Sequence, residues 1–146
     1  MFPLRLLLVL LVLAPAFAQN RSGCSVVSLS EVTAILGPGT QQRDTGGICI
    51  FSGGKTSVTL TLTPNATAAF QIMKLTAQQN DAIVKDEPGI GTAAFSVVAK
   101  DGHGFTLFML KGTWGAALGA EAGPVKIPEA TRAKLRGLAK TVAGRL

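Results

Sequence analysis

Tyrosine is absent from this 146-residue chain, tryptophan and histidine occur once each, and cysteine occurs twice. Each shortage excludes something. A structural zinc site needs four donors; Cys24, Cys49 and the distant His103 supply three, so neither a metal nor any other cofactor is expected. The lack of aromatics removes the stacking platforms on which single-stranded nucleic acid is held, and nucleic acid is not expected as a partner. The chain has only eight acidic residues. Asp86 and Glu87 are adjacent in a polar stretch where solvation accounts for both, so a general acid–base pair is not indicated. The leading run Leu4–Ala18, 15 residues long and apolar but for Arg5, falls short of the roughly 20 needed to span a bilayer. The chain therefore does not read as a transmembrane protein.

What is present begins with that stretch. Arg5 supplies a positive charge, Leu6 to Leu13 an unbroken apolar run, and Ala16-Phe17-Ala18 a small-x-small cleavage site. This is the layout of a secretory signal peptide cut after Ala18. Residues 1–18 are read as leader and 19–146 as a single domain of 128 residues, the 146 less the leader's 18, long enough to bury its own core. The expected location is secreted or periplasmic. There the two cysteines read as one disulfide, Cys24–Cys49. Lipid attachment at Cys24 is disfavoured, because Arg21 stands where an apolar residue is required. Asn20-Arg21-Ser22 and Asn65-Ala66-Thr67 match glycosylation sequons; they matter only on a eukaryotic route, and a bacterial one is expected.

Charge is uneven. Residues 19–125 hold seven basic and seven acidic side chains. Residues 126–146 hold Lys126, Arg132, Lys134, Arg136, Lys140 and Arg145 against Glu129 alone. Any electrostatic contact, such as a weak one with an anionic surface, would fall on this segment.

Along the chain, Ser28-x-x-Glu31 fits a capping box that opens a short helix closed by Gly37-Pro38-Gly39. Residues 40–47 read as loop. Ile48–Phe51 and the alternating Thr56–Thr63 read as a hairpin around Gly53-Gly54, with Val58, Leu60 and Leu62 on one side and Thr59, Thr61 and Thr63 on the other. Thr63-Pro64-Asn65 opens a second helix ending near Asn80, with Ala66, Ala69, Phe70, Met73 and Ala77 as its apolar face. Residues 81–88 carry no clear pattern. Strands follow at Thr92–Ala99, Phe105–Lys111 and, more weakly, Trp114–Leu118, then a last helix from Ile127 to about Ala143. The order αββαβββα implies an α+β domain, an antiparallel sheet of about five strands with three helices packed on it.

Cys24-Ser25 leading to a Leu-Ser-Glu-Val helix that ends in Leu36-Gly37-Pro38, the strand Ile48-Cys49-Ile50-Phe51, the run Pro88-Gly89-Ile90-Gly91-Thr92-Ala93-Ala94-Phe95 and a closing Ala/Leu/Lys/Arg helix together resemble a family. It comprises small secreted proteins and lipoproteins common in actinobacteria, gathered as a domain of unknown function. The resemblance implies a PsbP-like α/β sandwich over nearly all of 24–146. It implies no agreed activity and no catalytic residues.

Other motifs weaken in context. Gly89-x-Gly91-x-x-Ala94 matches a dinucleotide fingerprint, but a strand rather than a helix follows it. Gly54-Lys55-Thr56 imitates the end of a phosphate loop inside a hairpin. His103, with Asp101 and one of Ser52, Ser57 or Ser96, could make a serine hydrolase only if all three groups converge in space; a turn histidine is the simpler reading. Trp114, Arg132, Arg136 and Lys140 are the candidate binding surface. The expected function is a non-catalytic binding or interaction domain of the bacterial cell envelope, with an unknown ligand or protein partner. The alternative is a structural accessory subunit of an envelope complex, using an apolar sheet face or the Ala130, Ala133, Gly137 side of the last helix.

Overall fold

A computed structural model describes residues 21–146; the leader read at 1–18 and the sequon at Asn20 lie outside the described residues. The chain folds as α+β, with helices α1 (Leu29–Leu36), α2 (Thr67–Gln79) and α3 (Glu129–Gly144) on one antiparallel sheet. The sheet has seven strands: β1 (Gln41–Thr45), β2 (Ile48–Gly53), β3 (Thr56–Thr63), β4 (Ile83–Asp86), β5 (Ala93–Val98), β6 (Gly104–Lys111) and β7 (Trp114–Glu121). Their order is β1-β2-β3-β7-β6-β5-β4. Two meanders, β1–β3 and β4–β7, join where the last strand of each pairs, so β7 is the central strand.

The two strands beyond the expected five are its edges. β1 is Gln-Gln-Arg-Asp-Thr and exposed throughout. Main-chain pairing with β2 across a tight turn makes it a strand, Gly46 and Gly47 both taking positive φ (59° and 88°). Its polar side chains suit an edge, where an apolar strand would invite pairing with another chain. β4 is four residues long and also an edge. β7 runs three residues past the expected Leu118. Gly119 and Ala120 have little intrinsic strand preference, but β3 and β6 pair with them from both sides.

The second helix also starts differently. Asn65 does not cap it; it takes φ 51° in the preceding turn, and Ala66, which caps nothing with its side chain, donates its N–H to the Thr113 carbonyl. The capping box of α1 forms as expected: Ser28 Oγ accepts from the Glu31 N–H, and Glu31 accepts from the Ser28 N–H.

The two faces of the sheet are covered unequally. On one, α1 and α3 close over a core containing Phe51, Leu60, Phe105, Leu107, Leu118 and Leu135. A 3-10 turn at Gly23–Ser25 sits on the same core, tied to β2 by the Cys24–Cys49 disulfide. That bridge precedes the first helix rather than clamping the helix itself. On the other face α2 rests on β4, β6 and β7 through a smaller cluster of Phe70, Phe95 and Leu110, with the Phe70 and Phe95 rings edge to face at 4.9 Å. Among the described residues no helix packs closely on β1, β2 or β3 over this second face.

The carboxyl end is locked to α1. Arg145 donates to both Glu31 carboxylate oxygens (2.6 and 2.9 Å) and to the Val26 carbonyl (2.8 Å). The bonds from Arg145, then the Ser28 N–H, hold the Glu31 carboxyl down at about 2, against the modest opposing effect of burial. A depressed carboxylate stabilises the fold fully above its unfolded value and loses that contribution as pH falls through the folded one. The difference in urea midpoint between the parent and Glu31→Gln should therefore be constant above about pH 5 and shrink between the ordinary value of 4.5 and about 2. A difference that stays constant through that window would show that Glu31 contributes no charge-dependent stability.

Candidate binding groove

Strand alternation decides what the uncovered surface presents. Val58, Leu60 and Leu62 point into the main core, so Ser57, Thr59 and Thr61 stand on the opposite face. In register with them on β7 are Glu121, Gly119 and Ala117, and beyond those on β6 are Gly104, Thr106 and Phe108. Because the central strand carries only Gly119 and Ala117 there, the middle of the sheet is sunken between two rows of longer side chains. The result is a groove of about 310 Å³.

One wall of the groove is α2, which presents Met73, Thr76, Ala77 and Asn80 above Val97, Thr106 and Phe108. Toward the start of α2 the groove becomes apolar, running past Ala66, Phe70 and Gly115. Gly115 is required there: a Cβ on it would lie 2.5 Å from the Ala66 Cβ. Phe108 lines all three stretches of the groove and stacks on Phe95 at 5.0 Å. The Ser57, Thr59, Thr61 and Thr106 hydroxyls are half-exposed and enter no side-chain hydrogen bond among the described residues. A Cβ added at Gly119 would lie 3.1 Å from the Thr59 Oγ1 and 3.7 Å from the Thr106 Oγ1, so this glycine keeps the floor open between the two hydroxyls. Among the described residues Glu121, at one end, is the one charged residue lining it.

The residues singled out from sequence lie elsewhere. Trp114 is half-buried against the main core, with the Arg21 guanidinium over its ring at 5.2 Å. Arg132 donates to the Ile127 carbonyl and pairs with Glu129. Arg136 is spent inside the fold: it donates to Glu87 at 3.0 Å and Glu129 at 2.7 Å and lies over the Phe105 ring. Burial opposes its charge, but the bonds to Glu129 and Glu87 outweigh burial and raise the guanidinium above its usual range. Bonding to Arg136 in turn lowers the Glu129 carboxyl, which burial slightly opposes. Lys140 is exposed. The structure thus does not gather these four into one free basic surface. Of the adjacent carboxylates, Asp86 is exposed and pairs with Lys74, whereas Glu87, expected to be solvated, is 8% exposed and accepts from the buried Ser96 hydroxyl at 2.7 Å.

His103 lies in the β5–β6 turn, its main-chain N–H bonded to the Asp101 carboxylate and its Nδ1 3.9 Å from the other oxygen. None of Ser52, Ser57 and Ser96 is hydrogen-bonded to it among the described residues; Ser96 is committed to Glu87. Gly91 is explained by packing: it takes φ 58°, and a Cβ there would lie 2.2 Å from the Leu110 carbonyl oxygen. The glycines of the nucleotide-like motif serve a tight turn.

Thr59, Thr61, Thr106, Phe108 and Gly119 escaped sequence reasoning as a site. The signal available was the threonine side of β3, visible as alternation. Its partners on β6 and β7 follow from strand order, which local pattern does not carry. Among the described residues no helix is long and apolar enough to cross a membrane, and no group of three or more His, Cys, Asp or Glu could hold a metal ion. No family model, no curated protein and no solved structure matches this chain.

Proposed function

We propose that this chain works outside the reducing cytosol, at the bacterial cell envelope, as a non-catalytic binding domain whose site is the groove beside α2. The observation that carries this is the unequal covering of the sheet. A fold that seals one face with α1 and α3, yet leaves the other half bare over a sunken, hydroxyl-bearing floor, keeps a concave surface with few polar groups, which is the usual form of a ligand site. Export is supported by the leader pattern at 1–18 and by the Cys24–Cys49 bridge, which belongs to oxidising compartments. Membership among the small secreted proteins it resembles, with their PsbP-like sandwich, is part of the same proposal.

The test is a map of backbone amide shifts in the ¹⁵N-labelled exported protein on addition of solubilised envelope material. Changes are expected at Thr59, Thr61, Thr106 and Gly119. Changes confined to α3 and Trp114 would move the site to the basic surface. No change at any concentration would remove the binding reading.

A second reading, a structural accessory subunit, draws support from the outer side of α2, where Ile72 and Leu75 are 63% and 58% exposed. Light scattering on the exported protein that finds only a monomer, with no partner after crosslinking, would sink it.

A further inference from the structure

We propose that the occupant of the groove is an uncharged glycan chain; this rests on the binding-domain reading above and names the chemistry that the site selects. The chain carries 14 basic residues, yet among the described residues no lysine or arginine lines the groove from Ala66 to Glu121. A phosphate, sulfate or carboxylate group entering it would lose water and meet no counter-charge in its lining, which is costly; Arg43 shares this face but stands beyond Ile50, two strands from Thr59. Glu121 at the open end adds repulsion.

A hydroxyl both donates and accepts and rotates to suit its partner, so Ser57, Thr59, Thr61 and Thr106 match a ligand whose own groups do the same. Threonine side chains are stiff at χ1, and these stand on strands paired on both sides, so little freedom is lost on binding. A purely apolar occupant would bury four hydroxyls without partners. An extended peptide pairs with a sheet edge, and the edges here are β1 and β4, at opposite ends of the strand order from the central β7 floor.

Phe108 offers its half-exposed ring at the junction of the three stretches, beside the space left by Gly119 and Ala117. A sugar ring, with an apolar C–H face and a polar rim, meets an aromatic ring and a row of hydroxyls together. The Asn80 amide on the α2 wall adds a donor and an acceptor. The same stretches share Met73, Thr106, Phe108 and Ala117 and so form one trough rather than a closed pouch, which suits a chain of sugars.

The experiment titrates the ¹⁵N-labelled exported protein with neutral oligosaccharides of glucose, mannose, galactose and N-acetylglucosamine, and separately with polygalacturonate and with laurate. A neutral oligosaccharide should shift the Thr59, Thr106 and Gly119 amides. Thr59→Val and Thr106→Val, each close to isosteric, should each weaken its binding about 2- to 10-fold. Gly119→Ala, which raises the floor, should weaken it further while leaving the circular dichroism unchanged. Polygalacturonate or laurate as the tightest groove ligand would overturn the glycan assignment and leave a binding groove standing. Neutral oligosaccharides that move no groove signal, or that bind equally to both valine variants, would also overturn it. The binding-domain reading fails separately, when envelope material moves no signal anywhere in the protein.

Discussion

Replacing Cys24 and Cys49 together with alanine should lower the stability of the protein by about 3–4 kcal/mol. The bridge spans a sequence separation of 25 residues, and closing a loop of that size removes conformational entropy from the unfolded ensemble and raises its free energy by about this much on the chain-entropy account. For a domain of this length the melting temperature should fall on the order of 10 °C. Structure around the bridge argues that little of the loss is recovered. Cys49 is fully buried on β2, facing Leu60 across the β2–β3 pair. Gly23 packs so closely that a Cβ on it would lie 2.1 Å from the Leu60 carbonyl oxygen, and its N–H donates to the Gly47 carbonyl at 2.9 Å. Apart from Val26, Val27 and Val32, and the bonds from Arg145 to Glu31 and the Val26 carbonyl, the enclosed segment has little to hold it. α1 buries only Val32 fully, and β1 buries nothing. Amide exchange in the alanine variant should therefore rise first in 23–47, while β6 and β7, paired on both sides, keep their protection. Urea unfolding of the two proteins gives the total; a loss under about 1 kcal/mol would show that the unfolded chain is already constrained there.

That same segment shows how far pattern alone reaches. Apolar alternation marked β3 because its Val58, Leu60 and Leu62 side turns into the core, and the capping box marked α1 because Ser28 and Glu31 must lie three apart to serve each other's N–H groups. β1 was invisible because a strand held only by main-chain bonds at an edge needs no apolar residue. The second half of β7 was invisible for the opposite reason: it is so enclosed that glycine and alanine suffice. Both errors are cases of tertiary pairing overriding local preference. The groove inherits the difficulty. Thr59 and Thr61 could be placed on one side of a strand, but Thr106 lies 45 or more residues away along the chain and meets them only across Gly119. The disulfide was legible because two cysteines allow one pairing. The basic last helix was misleading, because a count of charges does not show that Arg136 and Arg145 face buried or half-buried carboxylates.

Arg136→Met should cost about 2–3 kcal/mol, and Glu87→Met about the same, while the double variant should cost no more than the worse single one. Removing one member of a buried ion pair leaves the other desolvated and uncompensated, whereas removing both leaves an apolar contact. Glu87 is nearly buried, and Arg136 has a side chain 23% exposed, which places the pair below the fully buried limit. In Arg136→Met the Glu87 carboxylate would keep only the Ser96 hydroxyl; in Glu87→Met the guanidinium would keep Glu129, at the helix start, and the Phe105 ring. Methionine is flexible enough to fill either gap along β5 and α3. A coupling of about 2 kcal/mol from the four proteins in urea is the expected result. Additive losses would mean that the two side chains act separately and that their contact adds nothing. The pair also bears on why one face of the sheet is closed. α3 carries its buried stripe of Leu135, Leu138, Ala139 and Val142 onto the core, but an apolar stripe tolerates sliding. A guanidinium held by Glu87, just past the end of β4, and by Glu129, at the start of its own helix, does not. Fixing α3 in that register seals the face where Phe105 and Leu107 lie and leaves the threonine face uncovered by α3.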